Sequence, residues 1–106
     1  MTNISNKTFI GSEIKLNINI EPIDSITMEE YDFNIEIYCD AKRSVVIPKS
    51  KAIRIDENNY IVRVNTTQIG AGYIKCKITA YIPDEDFDDG LRTEVSIVST
   101  GIEILK

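Results

Sequence analysis

Histidine is absent from the 106 residues, and with it go the commonest general base, the commonest zinc ligand and every histidine-based triad. Long apolar runs are missing too, since nothing approaches the roughly 18 consecutive residues that a membrane-spanning helix needs. The opening Met1-Thr2-Asn3-Ile4-Ser5-Asn6-Lys7 lacks the charged start and apolar core of a secretion signal. Clustered basic charge is a third absence. The 12 Lys and Arg are scattered among 17 Asp and Glu, leaving a net charge of -5 and a pI near 4.7, so no basic stripe exists to displace phosphate counterions. Neither nucleic acid nor membrane is an expected partner, and the expected place of synthesis is a cytosol.

Cysteine is scarce as well, with Cys39 and Cys76 the only two. Both fall on apolar alternations, so both are expected to point inward, where they face each other across a sandwich or, in a reducing compartment, remain free as small hydrophobes. The triplets beginning at Asn3, Asn6 and Asn65 match the glycosylation pattern, but a chain without a secretion signal does not meet the enzyme that reads it.

What remains is globular: 42% hydrophobic and 27% charged residues are too apolar for a disordered chain, and a chain this long supports one self-standing domain. Period-two alternation dominates it. Ile14, Leu16, Ile18 and Ile20 share one face of a half-buried strand whose other face carries Lys15, Asn17 and Asn19, and Pro22 closes it. Thr27 with Glu30 three residues on reads as a capping box for one helical turn. Phe33, Ile35, Ile37 and Cys39 make a second strand, and Val45-Val46-Ile47 before Pro48 a short third at a sheet edge. Ile53 and Ile55, the turn Asp56-Glu57-Asn58-Asn59, and Tyr60, Val62 and Val64 form a hairpin. The connector from Thr66 to Gly72 ends on glycines suited to positive φ.

The longest alternation places Ile74, Cys76, Ile78, Ala80 and Ile82 inward and Tyr73, Lys75, Lys77, Thr79 and Tyr81 outward, which describes a central strand. After an acidic loop from Pro83 to Gly90, a last strand runs from Arg92 to about Ser99 with Val95 and Ile97 expected inward, and Ile102 and Ile104 extend it past Gly101. The expectation is an all-β fold, an immunoglobulin-like β-sandwich of about seven antiparallel strands over residues 11–106, behind a weakly apolar N-terminal arm at residues 1–10 that docks on a neighbouring subunit or on its own domain. A small barrel is the alternative.

Chemistry-bearing clusters are few. The run Asp84-Glu85-Asp86-Phe87-Asp88-Asp89-Gly90 is the one concentration of carboxylates, and an exposed loop has no apolar wall to tune them for acid/base work, so no enzyme is expected. Asp84, Asp86 and Asp88 alternate like the first ligands of a calcium loop, but Asp89 stands where the turn glycine belongs and Val95 where the closing Glu belongs. A solvated hairpin loop is the plainer reading, with neither metal nor cofactor. Phe87 with Asp86 and Asp89 of that loop, and outward Tyr38 and Tyr81, are the candidate partner-binding residues, because exposed aromatics are favoured interface anchors.

From Tyr60 onward the chain resembles a known family. The carrying residues are Tyr60-Ile61-Val62-Arg63-Val64, Ile69-Gly70-Ala71-Gly72, Ile74-Lys75, Thr79-Ala80-Tyr81-Ile82-Pro83-Asp84, Asp86-Phe87 and Asp89-Gly90-Leu91-Arg92-Thr93-Glu94. They are similar to small immunoglobulin-like virion proteins of crAss-like tailed phages of gut bacteria. The resemblance implies a non-enzymatic structural protein of the virion, made in the host cytoplasm and present in many copies. Its first-choice role is that of an auxiliary or decoration protein bound to the major capsid protein, with a neck or tail component next. A free module for carbohydrate or cell-surface binding, calcium-dependent through Asp84, Asp86 and Asp88, is the reading from another class.

Overall fold

The computed structural model describes residues 7–20, 26, 30–39 and 43–106. The alternations become eight strands: β1 Lys7–Phe9, β2 Glu13–Asn19, β3 Asp32–Tyr38, β4 Ser44–Pro48, β5 Ile53–Arg54, β6 Asn59–Asn65, β7 Gly72–Pro83 and β8 Leu91–Leu105. Among the described residues the helical content is short 3-10 turns, at Lys49–Lys51 and Thr66–Gln68 for example. The capping pattern starting at Thr27 lies outside the described residues.

The strands form a five-stranded sheet in the order β1-β8-β7-β3-β4 and a three-stranded sheet in the order β2-β6-β5. Their apolar faces meet. Leu16 and Ile18 of β2 and Tyr60, Val62 and Val64 of β6 are buried from one side, and Phe33, Ile35 and Ile37 of β3 with Ile74, Cys76, Ile78, Ala80 and Ile82 of β7 from the other. This is a two-layer all-β sandwich, and the inward sets expected on β2, β3, β6 and β7 are the ones observed. The Phe33 and Tyr60 rings meet edge to face across the layers, with centroids 5.2 Å apart.

Eight strands replace the expected seven because the segment read as an arm contributes one. β1 lies parallel to the end of β8, Lys7 opposite Glu103 and Phe9 opposite Leu105, so the pairing is not antiparallel throughout. Thr66, fully buried, fixes this corner: its hydroxyl donates to the Ser12 carbonyl at 2.8 Å and accepts from the Gly11 amide at 2.9 Å.

Of the two readings of the cysteines, the one without a disulfide holds: Cys39 and Cys76 both belong to the larger sheet's side, Cys76 on β7 opposite Ile37 and Cys39 just past the end of β3, and neither is in a disulfide. The Cys39 thiol lies 3.5 Å from the carbonyl oxygens of Gly70 and Gly72, whose φ values of 80° and 131° use the expected glycine freedom.

One expectation is corrected, on β8. Val95 and Ile97 point outward and are 51% and 63% exposed. Residues opposite each other in an antiparallel pair share a face, and Val95 and Ile97 stand opposite Thr79 and Lys77 of the outer face. The inner positions of β8 are Arg92, Glu94, Ser96 and Val98, opposite Ile82, Ala80, Ile78 and Cys76. Three strands cannot cover five, and the smaller sheet leaves this part of β8 overhanging.

Candidate interaction surface

The hairpin that joins β7 to β8 builds the first part of the surface. Its loop is closed by the Asp84 amide donating to the Gly90 carbonyl at 2.8 Å, and the Gly90 amide donates to the Phe87 carbonyl at 2.8 Å. Gly90 takes φ 75°, which a side chain would resist. Within the loop the Asp84 carboxylate accepts from the Asp86 amide, and that of Asp89 accepts from the Leu91 amide, each at 3.0 Å. These are Asx turns, and they explain the acids locally: short carboxylates serve as turn formers.

Arg92 ties the base of the loop. Its guanidinium contacts Asp84 at 2.7 Å and Glu94 at 3.0 Å, and all three side chains are partly solvated, so the network contributes order more than stability. Asp84 therefore spends its carboxylate on Arg92 and the turn. Among the described residues no three carboxylates or thiols gather into a group fit to hold a metal ion, and Asp84, Asp86 and Asp88 are separate turn positions along the loop.

The candidate partner-binding residues divide. Phe87, 48% exposed, sits at the loop with Asp86 and Asp89. Tyr81 lies on the outer face of the adjoining stem, opposite Thr93. Tyr38 does not join them. It pairs opposite Lys75 at the far end of β7, six positions from Tyr81, or roughly 20 Å along the strand.

In its place the structure supplies Leu91, Val95 and Ile97, which continue the outer face of β8 from the loop and are all exposed. The result is an apolar strip from Phe87 to Ile97, rimmed at the tip by Glu85, Asp86, Asp88 and Asp89. Sequence alternation alone turns Val95 and Ile97 inward. The signal that reverses them is the loop's closing pair, because counting back from Asp84 and Gly90 sets Val95 against Thr79 on the outer face.

A second feature lies on the other side of β8. Between the open edges of β2 and β8 is a cleft of about 340 Å³ lined in part by Leu16, Ile18, Cys76, Val98, Thr100 and Ile102. Cys76 is at its floor, and burial pushes the thiol up to about 11. A thiol held protonated is a poor nucleophile and metal ligand. No family model, no curated protein and no solved structure matches this chain.

Proposed function

We propose that this protein is a non-enzymatic structural component of a phage virion, an auxiliary or decoration protein that docks on the major capsid protein. The observation that carries the docking role is the apolar strip of Phe87, Leu91, Val95 and Ile97 along one face and tip of a hairpin. Large apolar side chains aligned on a single exposed element are the usual content of an interface, and their acidic rim suits a basic partner surface. The family resemblance of Tyr60–Glu94 supports this choice of assembly, and it includes Phe87 and Leu91 of the strip while Val95 and Ile97 lie just beyond it.

The two-sheet architecture supports the same reading at the level of fold. The sheet orders β2-β6-β5 and β8-β7-β3-β4 correspond to the B-E-D and G-F-C-C′ orders of an immunoglobulin domain, with Cys76 on the strand equivalent to F. Leu16 and Ile18 occupy the strand equivalent to B, where that architecture has the partner cysteine of the bond. An immunoglobulin-like domain built without the bond suits assembly in a reducing cytoplasm.

The test is quantitative mass spectrometry of purified particles of the phage that encodes the chain. Copies in the hundreds per particle support decoration of the shell, tens support a neck or tail position, and absence overturns the virion reading. Phe87→Asp with Leu91→Asp is expected to weaken binding to the isolated capsid protein by roughly a hundredfold, two anchors at about 1–2 kcal/mol each. Unchanged binding removes the strip from the interface.

A further inference from the structure

We propose that the free edge of β8 pairs with the same edge of a second copy, joining two chains through one continuous sheet. The inference is independent of the virion reading. It rests on the edge itself, which among the described residues has no strand beside it between Leu91 and Ile102, because β1 covers only Glu103 to Leu105.

The backbone directions follow from the hairpin. The hydrogen bond from the Asp84 amide to the Gly90 carbonyl makes these two residues a bonded pair, and the register to β7 is unbroken from Pro83 to Lys75. Bonded and non-bonded pairs alternate in an antiparallel ladder. Arg92, Glu94, Ser96 and Val98 therefore direct their amides and carbonyls to β7. Thr93, Val95, Ile97 and Ser99 direct theirs to the open edge.

Other edges carry devices that discourage pairing. β4 ends in Pro48, β5 has two residues, and β2 presents Lys15, Asn17 and Asn19 on its exposed side. The open part of β8 has no proline and no lysine.

The occupant is identified by the pattern of the edge. Thr93, Val95, Ile97 and Ser99 read hydroxyl, aliphatic, aliphatic, hydroxyl, which is the same in either direction. A two-fold axis through Ser96 sets Val95 opposite Ile97 of the second copy, and Thr93 opposite its Ser99, each twice. It makes about eight backbone hydrogen bonds and matches like with like across the strands. On the inner face Ser96 meets itself and Glu94 meets Val98, so no two like charges are opposed. Other registers are worse: an axis at Glu94 opposes two carboxylates, one at Val95 or Ile97 sets aliphatic against hydroxyl, and one at Val98 runs into the bulge at Gly101, where φ is 76°.

Sedimentation velocity over a concentration series tests this. Native protein is expected to pass from the 12.0 kDa chain to twice that mass as concentration rises, and a mass that stays at one chain at the highest soluble concentration overturns the proposal. Val95→Lys with Ile97→Lys opposes ammonium groups twice and is expected to weaken association roughly tenfold or more. Val95→Lys with Ile97→Glu opposes unlike charges twice and is expected to retain the dimer. All these side chains are exposed, so a melting curve close to native shows that folding is intact. A dimer indifferent to both variants, or abolished by both, overturns the register.

Discussion

Replacing Thr66 by Val isolates one buried hydroxyl with almost no change of shape. The residue has no exposed surface, its hydroxyl bridges the Gly11 amide and the Ser12 carbonyl, and its own amide also donates to Ser12 at 3.0 Å. Valine keeps the packing and the backbone bond but removes both side-chain bonds. At about 1 kcal/mol for each bond the loss is about 2 kcal/mol. Gly11 is exposed, so water recovers part of its amide and the figure does not rise further. For a domain of this size that is about 10 °C in melting temperature. Thr66→Ser keeps the hydroxyl and loses one methyl, about 1 kcal/mol, so the order of stability is native, then serine, then valine. Urea denaturation followed by circular dichroism reads the order directly, with an unchanged slope expected because the change is local. A valine variant as stable as native, or more stable than the serine variant, would show that this corner is held by packing rather than by the hydroxyl.

Two further outcomes follow from titratable groups. Cys76 has its folded pKa raised by burial from 9.0 to about 11, so its contribution is fully present below the unfolded value and lost as pH rises through the folded one. The loss is about 3 kcal/mol, and Cys76→Ala is expected to flatten the stability profile between those limits in denaturant titrations. Asp56 is shifted the other way, lowered by hydrogen bonds from the Asn58 amide and the Asn59 side chain. Its contribution is present above the unfolded carboxylate value and is lost as pH falls through the lower folded one. Asp56→Asn should remove that part of the acid dependence, and an identical acid limb in the two proteins would sink the assignment.

The legible part of the fold was its covered part. Ile14 to Ile20, Phe33 to Ile37 and Ile74 to Ile82 alternate because one side of each strand meets the opposite sheet, so apolar character reports direction faithfully. The cysteines stayed open between two readings for a different reason. Alternation gives the face a residue points to but not the sheet its strand joins, and Cys76 on β7 and Cys39 just past the end of neighbouring β3 belong to one sheet. The surface was partly legible. Phe87, Asp86 and Asp89 announced themselves as an aromatic among turn-forming acids, and Tyr81 fell nearby because β7 feeds the loop. Leu91, Val95 and Ile97 did not, since their alternation on β8 is the same whether their face meets a core or lies open.

That ambiguity points to why β8 matters. An apolar alternation on a covered strand is explained by the sheet above it, and β2, β3, β6 and β7 all have such an explanation within the chain. β8 does not. The three-stranded sheet stops short of its first part, where the inner positions Arg92, Glu94 and Ser96 are polar as solvent requires, and Leu91, Val95 and Ile97 lie on the face that no layer among the described residues covers. Leaving Leu91, Val95 and Ile97 in water costs solubility and makes the edge a template for pairing. A sequence that places proline, lysine and asparagine at its other edges has the means to avoid this and does not use them here. The pattern is accounted for if the missing layer and the missing strand come from outside the chain, the layer from the partner on which the strip docks and the strand from a second copy.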